Sequence, residues 1–263
     1  MKSVLFNNNY LKVDWPAPAK IKAFCTTRMG GYSLPPFDSF NLADHVGDQV
    51  EQVIKNRGKL KSDLGLPSSP FWLDQIHSCN LVNADLIEDP AKGKNQRANL
   101  QADACYASIA NKVCAVMTAD CLPLLFCNKQ GDWIAAIHAG WRGLADGIVQ
   151  KTIEAYPRNP SDLIAWMGPA ITQSHFEVGE NVRIEFIESD SNNSDAFKPL
   201  GNNKYLCDIY LIARKIFDRY SVKSFGGGIC SYDESSLFFS YRRDGKTGRM
   251  ASLIWIDEAK KLL

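Results

Sequence analysis

The segment "CLPLLFCNKQGDWIAAIH", residues 121–138, constrains the chain most. Two apolar runs flank NKQG, whose turn-forming residues and glycine read as a β-hairpin with a four-residue loop. Pairing Cys127 with Asp132 sets Cys121 directly opposite His138. Opposed side chains on one face of an antiparallel pair have Cβ atoms about 4.5–5.5 Å apart, a gap that a tetrahedral metal with Zn–S near ~2.3 Å and Zn–N near ~2.0 Å can close. The inference hangs on loop length, because a one-residue slip would send one of the two side chains to the opposite face.

A third ligand must come from few candidates, since the histidines are His45, His77, His138 and His175. His77 lies in "WLDQIHS", where a strand or strand end would put Gln75, His77 and Cys79 on one side. Two histidines and a cysteine leave one zinc position open, the arrangement of a catalytic site. His77, Cys121 and His138 are therefore the candidate metal ligands and catalytic residues, with Cys79 as a rival ligand. His45 and His175 read as ordinary hydrogen-bonded residues. Asp120, beside Cys121, could orient a histidine or act as a base, although strand alternation points it away. The same Cys121–His138 pair also suits an activated thiolate nucleophile of a cysteine hydrolase.

After His138 the chain runs through "AGWRG" into a helix-like "LADGIVQKTIEAY", which places backbone N–H groups and Arg142 where an anion such as phosphate would bind. The same glycines also suit a tight strand-to-helix turn. "TTRMGG" repeats the pairing of glycine and arginine, with Arg28 following a strand.

The rest of the chain reads as α+β, with layered, mixed and largely antiparallel sheets flanked by helices in one domain, 1–263. Strand-like runs recur at KAFCTT, LVNADLI, ADACYAS, KVCAVMT, LPLLFC, WIAAIHA, DLIAWMG and SLIWI, and helical periodicity covers 47–64, 143–156 and 208–220. Asp208 is placed as an N-cap for a helix whose stripe is Ile209, Ile212, Ile216 and Phe217. "ESDSNNSDAF", 188–197, reads as an exposed loop. The 263 residues are 45% hydrophobic, enough for a large core. A net charge of +1 with no long run of one sign carries no footprint for nucleic acid or an anionic membrane, so the expected partner is a small molecule. Neither G-x-G-x-x-G nor the P-loop pattern occurs. "MKSVLFNNNYLKVDW" has too short an apolar run for a signal peptide, and "VCAVMTADCLPLLFC" falls short of the ~20 residues of a membrane span, so a cytoplasmic location is expected. Eight cysteines without a C-x-x-C pair argue against a disulfide framework and a four-cysteine zinc knuckle.

The blocks "TTRMGGYS", "FNLADHVGD", "QIHS", "DACYA", "TADCLPLLF", "AAIHAGWRG", "GPAI…FEVG" and "FFSYRRDGKTGRMASLIW" resemble, in that order, the motifs of the YfiH family, also called the laccase-domain or PgeF family. The resemblance runs from Arg28 to Trp255. It implies a single α/β-sandwich domain with one zinc on His77, Cys121 and His138. It also implies phosphorolysis of adenosine, inosine and S-methyl-5'-thioadenosine, deamination of adenosine, polyphenol oxidation, and in some bacteria peptidoglycan editing. Blue multicopper laccases call for about ten histidines, largely in HxH pairs. Four histidines and no HxH exclude that type here, although a single copper in the zinc site could oxidise phenols. The deaminase pairing of H-x-E with P-C-x-x-C does not occur, so deamination would use another layout. For phosphorolysis, Arg28 and Arg142 are the expected phosphate holders, and Asn41 and Gln75 the base or ribose contacts. Arg242, Arg243 and Arg249 either close over the site or stay solvated. The alternatives are a Cys121–His138 amidase-type hydrolase acting on peptidoglycan precursors and a non-catalytic zinc-stabilised binding module. Monomer and homodimer both remain open.

Overall fold

Residues 122–127 and 133–137, on either side of the polar turn, are apolar with little alternation, the pattern of strands covered on both faces. In the computed structural model, which describes residues 5–7, 9–87 and 100–258, they form the middle of a six-stranded sheet. Its order is β13 (Lys223–Gly226), β9 (Leu163–Met167), β7 (Leu122–Asn128), β8 (Ile134–Ala139), β5 (Ala104–Ala107) and β4 (Leu81–Asn83). Only the β4–β5 and β9–β13 pairings are parallel in this sheet. A five-stranded sheet runs β1 (Leu5–Asn7), β2 (Tyr10–Lys12), β3 (Ile21–Thr26), β14 (Met250–Ile256) and β6 (Val113–Thr118), all antiparallel. Leu125, Cys127, Ile134, Ala136 and Trp166 pack against Cys25, Cys114, Val116 and Ile254, joining the two sheets face to face.

The opposite face of the six-stranded sheet is covered by helices. Leu124, Phe126, Ala135 and Ile137 meet α3 (Ile148–Glu154) and α5 (Ile209–Arg219) through Ile148, Ile153, Ile212 and Phe217. Phe126 and Phe217 sit edge to face at 5.6 Å, and full burial of each side chain contributes about 1.5–3 kcal/mol. A small sheet of β10 (Glu177–Gly179), β12 (Lys204–Cys207) and β11 (Phe197–Gly201) lies beside α4 (Glu180–Ser189). The layered α+β reading therefore holds. The opening stretch read for targeting signals falls partly outside the described residues, at 1–4 and 8.

Several local expectations change. The hairpin pairs Cys127 with Ile134 and Pro123 with His138, so its loop is KQGD rather than NKQG. The reason is Asn128, which extends the strand while its side-chain oxygen accepts the Asp132 and Trp133 N–H groups, both at 3.0 Å. Each partner moves by two residues, an even slip that keeps Cys121 and His138 on one side as diagonal neighbours.

The helix expected over 143–156 is two, α2 (Trp141–Ala145) and α3, broken where Gly147 takes φ +88°. The 47–64 pattern starts later, as α1 (Val50–Leu64), and ends on Gly65 at φ +59°. In 81–87 only the first three residues are strand, because the Asn83 side chain accepts the Asp85 N–H and starts a 3-10 turn. The loop expected at 188–197 is the end of α4 followed by a 3-10 turn over Ser191–Ala196, tied down by buried Asn193, whose amide donates to the Phe186 carbonyl. Asp208 caps α5 as expected, accepting the Leu211 N–H at 2.9 Å.

Candidate metal centre

Cys121 stands where the chain leaves β6 of one sheet and enters β7 of the other, a turn made through Asp120 at φ +96°. His138 lies near the end of β8 and is buried. His77 comes from outside both strands, in the irregular stretch between the isolated bridges of Phe71 and Asp74 and strand β4. It was expected on a strand or strand end, and instead it occupies the left-handed region at φ +61°. The ligand atoms of His77, Cys121 and His138 all lie within 4.8 Å of one another. His77 Nε2 is 3.8 Å from Cys121 Sγ, and the two imidazole rings meet edge to face at 4.9 Å. His77 is exposed and His138 buried, so the group opens to solvent on the His77 side.

Asp103 organises this group. Its carboxylate is fully buried and accepts His138 Nδ1–H at 2.7 Å and the His77 backbone N–H at 3.0 Å on one oxygen. The other oxygen accepts the Ser78 N–H at 2.6 Å and the Ser78 hydroxyl at 2.8 Å. One side chain thus sets the His138 ring with Nε2 on the Cys121 side and holds the His77 backbone in its unusual conformation. Burial works against the Asp103 charge, but His138 and Ser78 outweigh it and hold the carboxyl below its usual range. The orienting role considered for Asp120 belongs to Asp103. Asp120 is occupied elsewhere, accepting from the Ser231 hydroxyl and the Arg242 N–H, both at 2.7 Å. A charged residue inside the apolar run ADACYAS was the signal for Asp103, because a buried charge demands partners.

Burial also opposes ionisation of Cys121, yet His138 and His77 prevail and bring its thiol down to about 6. His138 is pushed up to about 9, where Cys121 and Asp103 overcome its desolvation. Metal-free protein therefore holds a thiolate–imidazolium pair near neutral pH. Its Cys121 is expected to alkylate with iodoacetamide at a rate that is flat above about pH 7 and falls about tenfold per unit well below pH 6. Buried Cys25 and Cys127, both pushed up to about 12, stay unmodified at pH 7. Peptide mass spectrometry across pH reads this, and a Cys121 midpoint near 9 would contradict it.

The glycines of AGWRG make room. A Cβ on Gly140 would sit 2.7 Å from His77 Cδ2, 3.3 Å from Cys121 Sγ and 3.4 Å from His138 Cε1. A Cβ on Gly143 would sit 2.7 Å from the Ser78 carbonyl oxygen. Neither lies at positive φ, so space rather than backbone conformation calls for glycine.

The other sequence-derived site residues divide. Gln75 donates to the Met117 carbonyl at 2.8 Å and accepts the Met117 N–H at 2.7 Å, which anchors the His77 segment to β6. Asn41 is fully buried, bonded to Ala43, Asp48 and the Arg249 N–H, with no route to a nucleobase. Arg28 donates to the Asp38 and Ser235 carbonyls and stacks on Phe239, so its guanidinium is committed. Arg142 is exposed and lies over Trp141 in α2.

Cys79 packs against the core and does not join the ligand group, and His45 pairs with Asp44. Arg243 donates to the carbonyls of Ser231, Tyr232 and Phe238, and Arg242 to those of His175 and Glu177, so both brace loops. Arg249 is half-buried: desolvation pushes its guanidinium down, while the charges of Cys121 and Asp120 favour its charged form.

Residues 22–257 match the family model described as multi-copper polyphenol oxidoreductase laccase. The chain is 47% identical over 244 residues to an Escherichia coli protein named purine nucleoside phosphorylase YfiH, covering 92% of this chain and 97% of that one. The chain belongs to the YfiH family. Among solved structures of the family fold, a Neisseria meningitidis protein superposes with a TM-score of 0.88 at 47% identity, covering 95% of this chain and all of that one. YlmD from Geobacillus stearothermophilus superposes at 0.85 with 28% identity, covering 95% and 97%. These relationships support an enzyme with a small-molecule substrate. Among the described residues no helix is long and apolar enough to cross a membrane.

Proposed function

We propose that this YfiH-family chain is a zinc-dependent purine nucleoside phosphorylase acting on adenosine, inosine and S-methyl-5'-thioadenosine, with adenosine deamination as a second reaction. Residues 1–263 form one catalytic domain in this reading. The observation that carries it is the convergence of His77, Cys121 and His138 under the Asp103 carboxylate. Two imidazoles and a thiol favoured in its ionised form suit zinc, and Gly140 leaves the three side chains room to close on an ion. Held by these three side chains, zinc would supply Lewis-acid chemistry.

The chain's own residues bind and orient. Exposed Arg142, two residues beyond Gly140, and Arg249, within electrostatic reach of Cys121, hold phosphate against the ribose in this reading. A phosphate oxygen forms the new bond to the anomeric carbon as the C–N bond to the purine breaks. The purine leaves with the bonding pair and takes up a proton, giving free base and ribose 1-phosphate. Arg28 is not assigned to phosphate, because its guanidinium, besides two bonds to the Asp38 and Ser235 carbonyls, faces the Asp38 carboxylate. We place the activity in the cytoplasm, where all eight free cysteines stay reduced.

Metal and product analysis test this together. Purified protein is expected to release adenine from adenosine only with phosphate present, and Cys121→Ala to lose one equivalent of zinc along with that release. Zinc-replete protein that turns over no nucleoside would overturn the reading. Arg142→Lys is expected to keep its zinc while kcat/KM for phosphate falls about tenfold or more, since a lysine cannot make the two-point contact of a guanidinium. Unchanged phosphate dependence would remove Arg142 from the role.

The lowered Cys121 thiol beside His138 favours a second reading, a cysteine hydrolase of the amidase type acting on peptidoglycan precursors. Metal separates the two, because a coordinated thiolate is a poor nucleophile: hydrolysis would rise on chelation, phosphorolysis would fall. Copper in place of zinc would supply phenol oxidation.

A further inference from the structure

We propose a second transition-metal site, of the zinc class, built from His175, Cys230 and Asp233. Their ligand atoms all lie within 4.8 Å of one another, and none belongs to the group around Cys121. A thiolate, an imidazole and a carboxylate form a mixed soft and hard donor set that suits zinc, with a fourth position left for water. The ion pair of His175 Nε2 with Asp233, at 2.7 Å, accounts for two of the three residues. It leaves unexplained why the sulfur of buried Cys230 is turned into the same small space.

The two supporting turns are built to stay in register. Residues 172–176 form a turn closed by the Thr172 carbonyl, which accepts the N–H groups of His175 and Phe176, both at 3.1 Å. Cys230 and Asp233 lie in a second turn, closed by the Glu234 N–H on the Cys230 carbonyl. The Ala170–Cys230 bridge and the Ser231 N–H donated to the Ala170 carbonyl at 3.0 Å fasten one turn to the other. The Thr172 hydroxyl donates to Cys230 Sγ at 3.0 Å, which fixes the sulfur, and the Tyr232 ring stacks on His175 at 4.2 Å and sets its plane. Ser231 carries the effect further, since its hydroxyl holds the Asp120 carboxylate next to Cys121. A metal here would stiffen the turn that supports the approach to the first centre.

The site is tested in metal-free Cys121→Ser protein by titration with Co2+, read by the near-ultraviolet thiolate-to-cobalt charge-transfer band. One equivalent carrying that band is expected. It should vanish in Cys121→Ser/Cys230→Ser, with circular dichroism confirming the fold. In Cys121→Ser/Asp233→Asn the band should persist with affinity about 10- to 100-fold weaker, since Asp233 is exposed and its loss leaves the fold intact. No thiolate band in Cys121→Ser, a band that survives Cys230→Ser, or an affinity indifferent to Asp233→Asn would overturn the proposal. The comparison of wild type with Cys121→Ser reads the first centre separately, as the one equivalent that only the former binds.

Discussion

Asp103→Asn is expected to weaken zinc binding about 10- to 100-fold and to lower phosphorolysis at limiting zinc in proportion. The carboxylate accepts four hydrogen bonds, from His138, the His77 and Ser78 backbones and the Ser78 hydroxyl. An amide has one acceptor oxygen, and its NH2 group would face donors, a mismatch that costs about 1–3 kcal/mol of stability. The proton balance changes as well. With His138 up at about 9 in metal-free protein, binding zinc between roughly pH 6 and 9 must displace its proton, so affinity falls as the pH is lowered, approaching about tenfold per unit well below 9. Below about 6 the Cys121 thiol adds a second proton and steepens the fall. Removing the Asp103 charge lowers the His138 value and shrinks the proton release, which calorimetry in buffers of different ionisation enthalpy measures. Wild-type affinity and proton release in Asp103→Asn would show that the carboxylate does not orient the ligand.

Gly140→Ala is expected to strip most of the zinc and reduce kcat about 100-fold or more at ordinary zinc levels, while the protein stays folded at a cost of about 1–3 kcal/mol. The added methyl would press on all three ligands at once, most severely on His77 Cδ2 at 2.7 Å. His77 cannot retreat freely, since its backbone is pinned to Asp103 and its segment to Met117 through Gln75. Metal analysis and circular dichroism together decide the matter: full zinc content in a folded Gly140→Ala protein would mean that the pocket yields, and the close-packing argument would fail.

The parts of the site legible in the chain are those carried by short-range pattern. Cys121 and His138 flank one hairpin, and their sharing of a side survives an error of two residues in the register because side chains alternate with period two. His77 was reached by elimination among four histidines, although the strand proposed for it is an irregular segment. Asn41 and Gln75 were read as base or ribose contacts, and their hydrogen bonds instead tie Asn41 to the Ala43 carbonyl and Gln75 to that of Met117. Hydrogen-bond partners of an amide are set by chain segments far away in sequence, which periodicity cannot register. The same holds for His175, whose neighbours Cys230 and Asp233 lie more than fifty residues away.

Alternation, turn chemistry and apolar runs determined by themselves that the chain is layered α+β, that 121–138 is a hairpin, and that a cysteine and a histidine meet at its open end. Tertiary structure decided what those side chains can do. It brought Asp103 from β5's approach under His138 and His77, turned Asp120 away to Ser231, and emptied the space at Gly140. The physical reason is range: burial and strand pairing are read from neighbours along the chain, whereas the orientation and charge of a ligand depend on partners that only folding brings within about 3 Å.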